Sequence, residues 1–353
     1  MTITSHHRFA EVLPDAPRSW LVTGAAGFIG SNLVEELLSL GQVVIGLDNF
    51  STGRRANIIE ALGDDPDRAR RFNMIEGDIR DLDLCRAACE GVDFVLHHAA
   101  LGSVPWSVAD PLTTNAVNVT GFVNMLVAAK DTGVARVVYA SSSAVYGDDA
   151  RQPQREEHVG RPLSPYASSK AANEMYALSF QLSYGFESIG LRYFNVFGRR
   201  QDPAGAYAAV IPRWITSLLR GEECTIHGDG ETTRDFCHVA NVVQANILAA
   251  TADIRSTGAV YNIACGESVT LNALFEMLRE QLAHEEPDIA FAAPRHDEFR
   301  TGDVRYSCAS IERARQHLDY APSHSVGDGL AEARAWYVRQ SRAHPAMALA
   351  QLR

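Results

Sequence analysis

Short apolar runs alternate with helically spaced apolar positions through the first half of the chain. Ser19-Trp20-Leu21-Val22-Thr23 is an apolar run that stops at glycines, and Phe28, Ile29, Leu33, Leu37 and Leu40 then follow at helical spacing. Residues 42–47, 72–75, 93–96 and 135–140 repeat the strand signal, and helical stretches fall between most of them. Asp110-Pro111 opens a long helix to about Lys130, because proline lacks an N–H that the first turn leaves unpaired anyway; Gly133 near its end suits a helix terminus. This alternation predicts an α/β fold with a doubly wound parallel sheet. After Arg192 the rhythm loosens: 195–205 reads as loop, 210–220 as helix, 225–230 as a strand with a turn, and the polar stretch 284–300, with Pro287 and Pro294, as irregular. A second, smaller domain begins there.

A chain of 353 residues with 46% apolar content exceeds the usual single core, which agrees with one large and one smaller domain. A net charge of −11 argues against a nucleic-acid groove, while leaving room for a local basic pocket around an anionic small molecule. The six cysteines show neither zinc-ligand spacing nor a dense disulfide pattern, so reduced thiols of a cytoplasmic protein are expected, with no metal site. The first eighteen residues carry no long apolar stretch, and neither a signal peptide nor a membrane span is predicted.

The candidate chemistry begins at the first glycine turn. Gly24-Ala25-Ala26-Gly27-Phe28-Ile29-Gly30 is a G-x-x-G-x-x-G variant of the dinucleotide fingerprint, in which the glycines allow a tight turn, approach of backbone N–H groups to a pyrophosphate, and close helix packing. Asp48 ends the second strand, where a carboxylate can accept from both adenosine ribose hydroxyls and repel a 2′-phosphate. NAD is therefore predicted over NADP, although Arg54 and Arg55 follow within a turn. Asp78, after the third strand, is placed either to reach the adenine or to sit in an ordinary surface loop. The fifth strand ends in Ser141-Ser142-Ser143, at the sheet edge where such folds bind ligands; these serines could donate to a sugar oxygen or simply cap the strand.

Tyr166 and Lys170 stand four residues apart, on one helical face and about 6 Å apart along its axis. A free phenol near pKa 10 is a poor base at neutral pH, and bringing it to about 7 needs roughly 4 kcal/mol of differential charge stabilisation. The ammonium supplies part of that, and an oxidised nicotinamide more.

The glycine turn, the serine-rich strand end, Tyr-x-x-x-Lys and Leu191-Arg192-Tyr193-Phe194-Asn195-Val196-Phe197-Gly198 together resemble the extended short-chain dehydrogenase/reductases that act on nucleotide sugars. The resemblance runs from about Ser19 to about Arg339. Within that family, Gly46-Leu47-Asp48-Asn49-Phe50-Ser51-Thr52-Gly53, Leu101-Gly102-Ser103-Val104-Pro105 and Gly198-Arg199-Arg200-Gln201-Asp202-Pro203 are similar to segments of the UDP-N-acetylglucosamine 4-epimerases of bacterial O-antigen synthesis.

The resemblance implies a Rossmann NAD-binding domain over 19–193, joined again by 237–264, a nucleotide-sugar-binding domain from 194–236 and 265–340, and tails at 1–18 and 341–353. It implies Ser142, Tyr166 and Lys170 as the catalytic set. The cofactor would be held by Gly24, Gly27, Phe28, Ile29, Gly30, Asp48, Asn49, Ser51, Thr52, Gly53, Asp78, Ile79, Ala99, Ala100, Asn118 and Tyr193, together with Tyr166 and Lys170. Ser103, Ser142, Ser143, Tyr166, Asn195, Arg234, Arg300, Asp303 and Ser307 would meet the UDP-sugar. Two arginines bracketing a diphosphate suit their planar forks. The activity implied is interconversion of UDP-GlcNAc and UDP-GalNAc, and of UDP-Glc and UDP-Gal, through a 4-keto sugar by hydride removal and return; a 4-epimerase of UDP-N-acetylglucosaminuronic acid is the alternative, and a non-catalytic NAD-binding scaffold is a third reading. Ser143 and Ala144 stand where family dehydratases and decarboxylases place acid/base carboxylates, which disfavours both reactions. Ser307, a small residue where hexose-limited epimerases carry a bulky aromatic, leaves room for an N-acetyl group. Trp106 departs from the arginine that relatives often carry. A homodimer built on the helix from Pro111 and the helix bearing Tyr166 is also implied.

Overall fold

The computed structural model of the chain describes residues 13, 16–203, 208–299 and 304–343. Seven parallel strands form the central sheet: β1 (Ser19–Thr23), β2 (Val43–Asp48), β3 (Phe72–Glu76), β4 (Phe94–His97), β5 (Arg136–Ser142), β6 (Ser188–Tyr193) and β7 (Ala259–Ile263), in the order β7-β6-β5-β4-β1-β2-β3. The expected doubly wound parallel sheet is borne out. The chain leaves β1 toward β2 and β3 and then crosses to β4, so the order reverses beside β1 and opens a crevice at the carboxyl ends of the strands. Register aligns those ends, with Thr23 opposite both Leu47 and His97.

Helices cover both faces because strands buried on both sides need two apolar layers. One layer holds α1 (Phe28–Ser39) through Leu33, Val34 and Leu37; the other holds α2 (Phe122–Thr132) and α3 (Pro165–Tyr184) through Phe122, Met125, Ala177 and Phe180. The first layer also takes α4 (Val239–Thr251), through Val242, Ile247 and Leu248. A third apolar cluster, with Trp214, Phe275, Leu278 and Leu330, joins helices Val210–Leu219 and Leu271–Ala283 to α5 (Val326–Ala343).

Several elements differ from the periodicity. Five strands are predicted, and the sheet has seven. β6 is buried throughout, yet Ser188, Gly190 and Arg192 interrupt its apolar signal; Gly190 is small because an added Cβ would lie 2.6 Å from the Tyr139 ring. The predicted loop 195–205 contains the short strand Val196–Phe197, paired in parallel with Cys237–His238. In the stretch expected to be irregular, Arg295–Asp297 pairs in parallel with Thr225–His227; its three exposed polar residues carry no strand alternation. The long helix from Pro111 is helical to Thr132 but widens into a π turn at Ala116–Gly121, which holds Asn118 against the Leu101 backbone.

Candidate active site

A cleft of about 530 Å³ opens along the carboxyl edge of the sheet. Its floor begins at the glycine turn. Gly24 has φ +67° and its missing Cβ would lie 2.8 Å from the Ala99 nitrogen, while a Cβ on Gly30 would meet the Gly24 carbonyl oxygen at 2.1 Å. Gly27 starts α1 without a side-chain cap and without an acidic residue in the first turn. First-turn N–H groups that no side chain answers, at the positive end of a helix dipole, suit a diphosphate.

Asp48 is buried at the cleft wall, where Oδ2 accepts from Ala26 N–H at 2.9 Å and Oδ1 from Phe50 N–H at 2.7 Å. Burial raises its pKa, and these two N–H groups oppose the rise. Arg54 pairs with Asp202, and Arg55 pairs with Glu76 at 2.5 Å while lying 4.0 Å over the Phe50 ring. Both arginines are thus engaged with carboxylates, which agrees with NAD over its 2′-phosphate. Asp78 accepts two bonds from the Arg80 guanidinium, at 2.9 and 2.7 Å, and one from Asn49 at 2.9 Å. The Arg80 bonds are the main reason its carboxyl lies well below the usual range.

Tyr166 enters the cleft from the first turn of α3, which Ser164 caps by accepting from Ala167 N–H and Pro165 opens. Its backbone N–H donates to Ser107 Oγ at 3.0 Å. Tyr166 is half-buried and lines the cleft beside Ser142; burial pushes the phenol up, and hydrogen bonding with its neighbour Ser142 opposes this. Ser142 Oγ accepts from Ala144 N–H at 3.1 Å, which leaves its own hydrogen free to donate to the phenol. Lys170 is buried, with Nζ 6.0 Å from the Tyr166 ring centroid, and donates to the Ala140 carbonyl at 2.8 Å. Burial pulls its pKa down to about 8. Lys170 gives one of its three N–H donors to the β5 carbonyl, and the protein's own groups leave the phenol above its ordinary value, in keeping with the expectation that the ammonium supplies only part of the lowering and an oxidised nicotinamide more.

Of the residues the resemblance implies, Gly24, Gly27, Phe28, Ile29, Gly30, Asp48, Asn49, Ser51, Thr52, Asp78, Ile79, Ala99, Ala100, Ser142, Ser143, Tyr166, Lys170, Tyr193 and Asn195 line this one cleft. Gly53, Ser103, Asn118, Arg234 and Ser307 do not. Gly53 wraps behind Asp48, where a Cβ would lie 2.9 Å from Asp48 Oδ2. Ser103 spends its hydroxyl capping helix Val104–Ala109. Asn118 accepts from Leu101 N–H at 2.8 Å and donates to the Leu101 carbonyl at 3.0 Å and to Ser169 Oγ at 3.1 Å, so it fixes the loop that walls the cleft. Arg234 lines a second cavity of about 170 Å³ with Arg213, Trp214, Phe236 and Asn195, and Asn195 borders both cavities. Ser307 is buried beside Thr233, to whose hydroxyl its N–H donates at 3.4 Å. Arg300 and Asp303 lie outside the described residues.

Two parts of the cleft wall depend on distant partners that sequence reasoning missed. His98 stacks on Tyr193 with ring centroids 5.9 Å apart, and its Nε2 lies 3.1 Å from Asn246 Oδ1; the Asn246 amide donates to the Tyr193 hydroxyl at 2.8 Å. Burial pulls His98 down to about 4, so it is neutral at neutral pH. Ser141 donates to Glu174 at 2.5 Å, and Glu174 holds the buried Arg192 guanidinium with bonds of 2.9 and 2.8 Å. Only the position of His98 just after β4 could have pointed to it.

Comparison with known proteins agrees with this geometry. The profile of the NAD dependent epimerase/dehydratase family matches residues 20–264. The chain is 36% identical over 327 residues to the UDP-glucose 4-epimerase of Mycolicibacterium smegmatis, covering 91% of this chain and 99% of that one. Among solved structures, it superimposes with a TM-score of 0.84 and 38% identity on the UDP-N-acetylglucosamine 4-epimerase of Methanobrevibacter ruminantium M1 in complex with UDP-N-acetylmuramic acid, over 92% of this chain and 99% of that one. The UDP-glucose 4-epimerase of Thermus thermophilus, in complex with NAD, superimposes with a TM-score of 0.77 and 33% identity over 91% and 99%. With a family profile over residues 20–264 and relatives matched along nearly their whole length, the chain belongs to the NAD dependent epimerase/dehydratase family and uses NAD.

Proposed function

We propose that the protein is an isomerase that inverts carbon 4 of a UDP-hexose, with UDP-GlcNAc and UDP-GalNAc as its main pair and UDP-Glc and UDP-Gal as further substrates. The observation that carries this reading is that Ser142, Tyr166 and Lys170 line one cleft with the glycine turn, and that Asn195 of the same cleft also borders an arginine-bearing cavity. Bound NAD supplies a reversible hydride acceptor next to the sugar. Tyr166 takes the proton of the 4-hydroxyl, and Ser142 donates to the phenolate and shares the proton's path. Lys170, fixed on the Ala140 carbonyl, would hold the nicotinamide ribose and lend its positive charge to the site. Arg234 anchors the diphosphate side in the second cavity. Firm hold on the nucleotide and loose hold on the sugar allow the 4-keto sugar to turn over and receive the hydride on its other face.

The family also contains dehydratases, which need an acid/base group for carbon 5. Ser143 and Ala144 occupy the wall after Ser142, and neither can abstract a proton. Epimerisation is therefore favoured over elimination. Buried Ser307 presents a small side chain, and the likeness to a UDP-N-acetylglucosamine 4-epimerase supports the N-acetylated pair. Segments 46–53 and 198–203 further support a supply of UDP-hexosamine for O-antigen-type polysaccharide. A cytoplasmic location fits nucleotide-sugar chemistry; among the described residues, no helix is long and apolar enough to cross a membrane.

A second copy of the chain is the proposed partner. Met175, Leu178 and Leu182 repeat at three and four residues along α3 and are exposed, as is Leu112 on the neighbouring helix. Such a stripe on a helix face needs cover.

The test is to incubate purified protein, without added NAD, with UDP-GlcNAc and UDP-Glc deuterated at carbon 4, and to follow epimers and label. Epimers that retain the label are expected. Solvent-derived hydrogen at carbon 4 would refute the internal hydride return, and turnover of UDP-Glc alone would remove the N-acetylated reading.

A further inference from the structure

Three side chains outside the cleft converge where α5 meets the short strand that follows Arg234. His238 ends the pair Cys237–His238, His324 lies just before α5, and Glu332 stands on it. One donor atom from each lies within 4.8 Å of the other two. His324 Nε2 is 3.4 Å from Glu332 Oε2. Donors at 2.0–2.1 Å around a tetrahedral ion are about 3.4 Å apart, so one edge already has the required length.

His238 is fully buried, and neither of its ring nitrogens has a hydrogen-bond partner. That is rare for a buried polar group and calls for a ligand or an ion. α5 passes close to it at Gly329, where a Cβ would lie 2.7 Å from His238 Cβ, and the Phe197 ring packs edge-on with centroids 5.4 Å apart. The His324 ring lies 4.8 Å away, and its Nδ1 is held by Ser323 Oγ at 2.9 Å. A fixed second nitrogen of this kind orients metal-binding histidines. Glu332 also borders a small cavity of about 50 Å³, enough for a water as a fourth donor. Arg199 lies 3.8 Å from Glu332, but Glu35 holds its guanidinium at 2.9 Å.

We propose that His238, His324 and Glu332 form a binding site for a divalent first-row transition-metal ion, with zinc as the reference ion. Two imidazoles and one carboxylate suit zinc, cobalt or nickel, whereas magnesium and calcium prefer oxygen donors alone. The ion ties α5 to the strand paired with Val196–Phe197, directly behind the Asn195 and Val196 wall of the cleft. It therefore clasps the smaller domain and takes no part in proton or hydride transfer.

The experiment uses untagged, chelator-treated full-length protein, titrated calorimetrically with zinc chloride, with metal content measured after dialysis and melting temperature followed alongside. One zinc per chain and a zinc-dependent rise in melting temperature are expected for the parent protein. His324→Ala and Glu332→Gln, both at the solvent side of the cluster, should fold and lose at least tenfold in affinity along with the thermal rise. Magnesium should give neither effect. Absence of stoichiometric uptake by the parent, or equal uptake by both variants, would overturn the site. Because turnover is not the readout, failure here leaves the proposed epimerase activity untouched.

Discussion

Replacing Ser142 by alanine removes the one hydrogen bond that opposes the upward push of burial on the Tyr166 phenol. A hydrogen bond to a charged partner contributes about 1.5–3 kcal/mol. Its loss therefore raises the phenol further and makes the phenolate harder to form by energy of that order. A base must be deprotonated to act, so the rate climbs with pH through the phenol's pKa, and a raised pKa moves that acid-side limb to higher pH. Below the limb, Ser142→Ala should therefore be slower by roughly 10- to 100-fold, with the deficit shrinking as pH rises. The Ala144 N–H also loses its acceptor, a capping effect of about 1 kcal/mol on stability that is separable by melting temperature. The assay is kcat/KM for the UDP-sugar over roughly pH 5–10, with Ser142→Thr as the control that keeps the hydroxyl. A variant that is uniformly slower, its limb unmoved, would refute the reasoning that the serine acts through the phenol's proton.

Three further outcomes follow from the geometry. Lys170 is held as a buried cation with its pKa down at about 8 against an ordinary value of 10.5, so its burial opposes folding at neutral pH and ceases to do so as pH rises from 8 to 10.5. Lys170→Met in nucleotide-stripped protein should be more stable than the parent at pH 7 by about 1–3 kcal/mol, with the gap closing over that range while activity is lost; a gap independent of pH in thermal melts would contradict this. Gly30→Ala drives a methyl group to 2.1 Å from the Gly24 carbonyl, so fluorescence titration should show NAD binding lost and denaturant melts a loss of about 1–3 kcal/mol; an unchanged NAD affinity would show the cradle misread. Leu182→Glu on the exposed stripe of α3 should convert a dimer into a monomer in sedimentation velocity without unfolding it, and a parent protein that sediments as a monomer would remove the proposed interface.

What could be read from the chain was local. The glycine turn, Asp48, and the four-residue spacing of Tyr166 and Lys170 each express their geometry within one strand, turn or helix, and all of these side chains reach the same cleft. The features that could not be read join distant segments. β6 shows no apolar run because Ser188, Gly190 and Arg192 interrupt it, and Arg192 is buried by partners distant in sequence, Glu174 on α3 and the Glu156 carbonyl. His98 owes its neutrality to burial and is held in place by Asn246, 148 positions later, and the cluster of His238, His324 and Glu332 spans nearly a hundred residues.

The Tyr–Lys pair shows where local reasoning stops. Helical spacing puts the ammonium near the phenol, and the 6.0 Å between Nζ and the ring agrees with that. Spacing does not choose the ammonium's hydrogen-bond partner. The Ala140 carbonyl, delivered by β5 from thirty residues upstream, takes one of its N–H donors, and the phenol is left with Ser142 from the end of the same strand. The proton-transfer pKa is therefore a property of how β5 is set against α3. Substitutions that shift that strand, such as at Ser141 or Glu174, belong to the same electrostatic unit as the proposed catalytic pair.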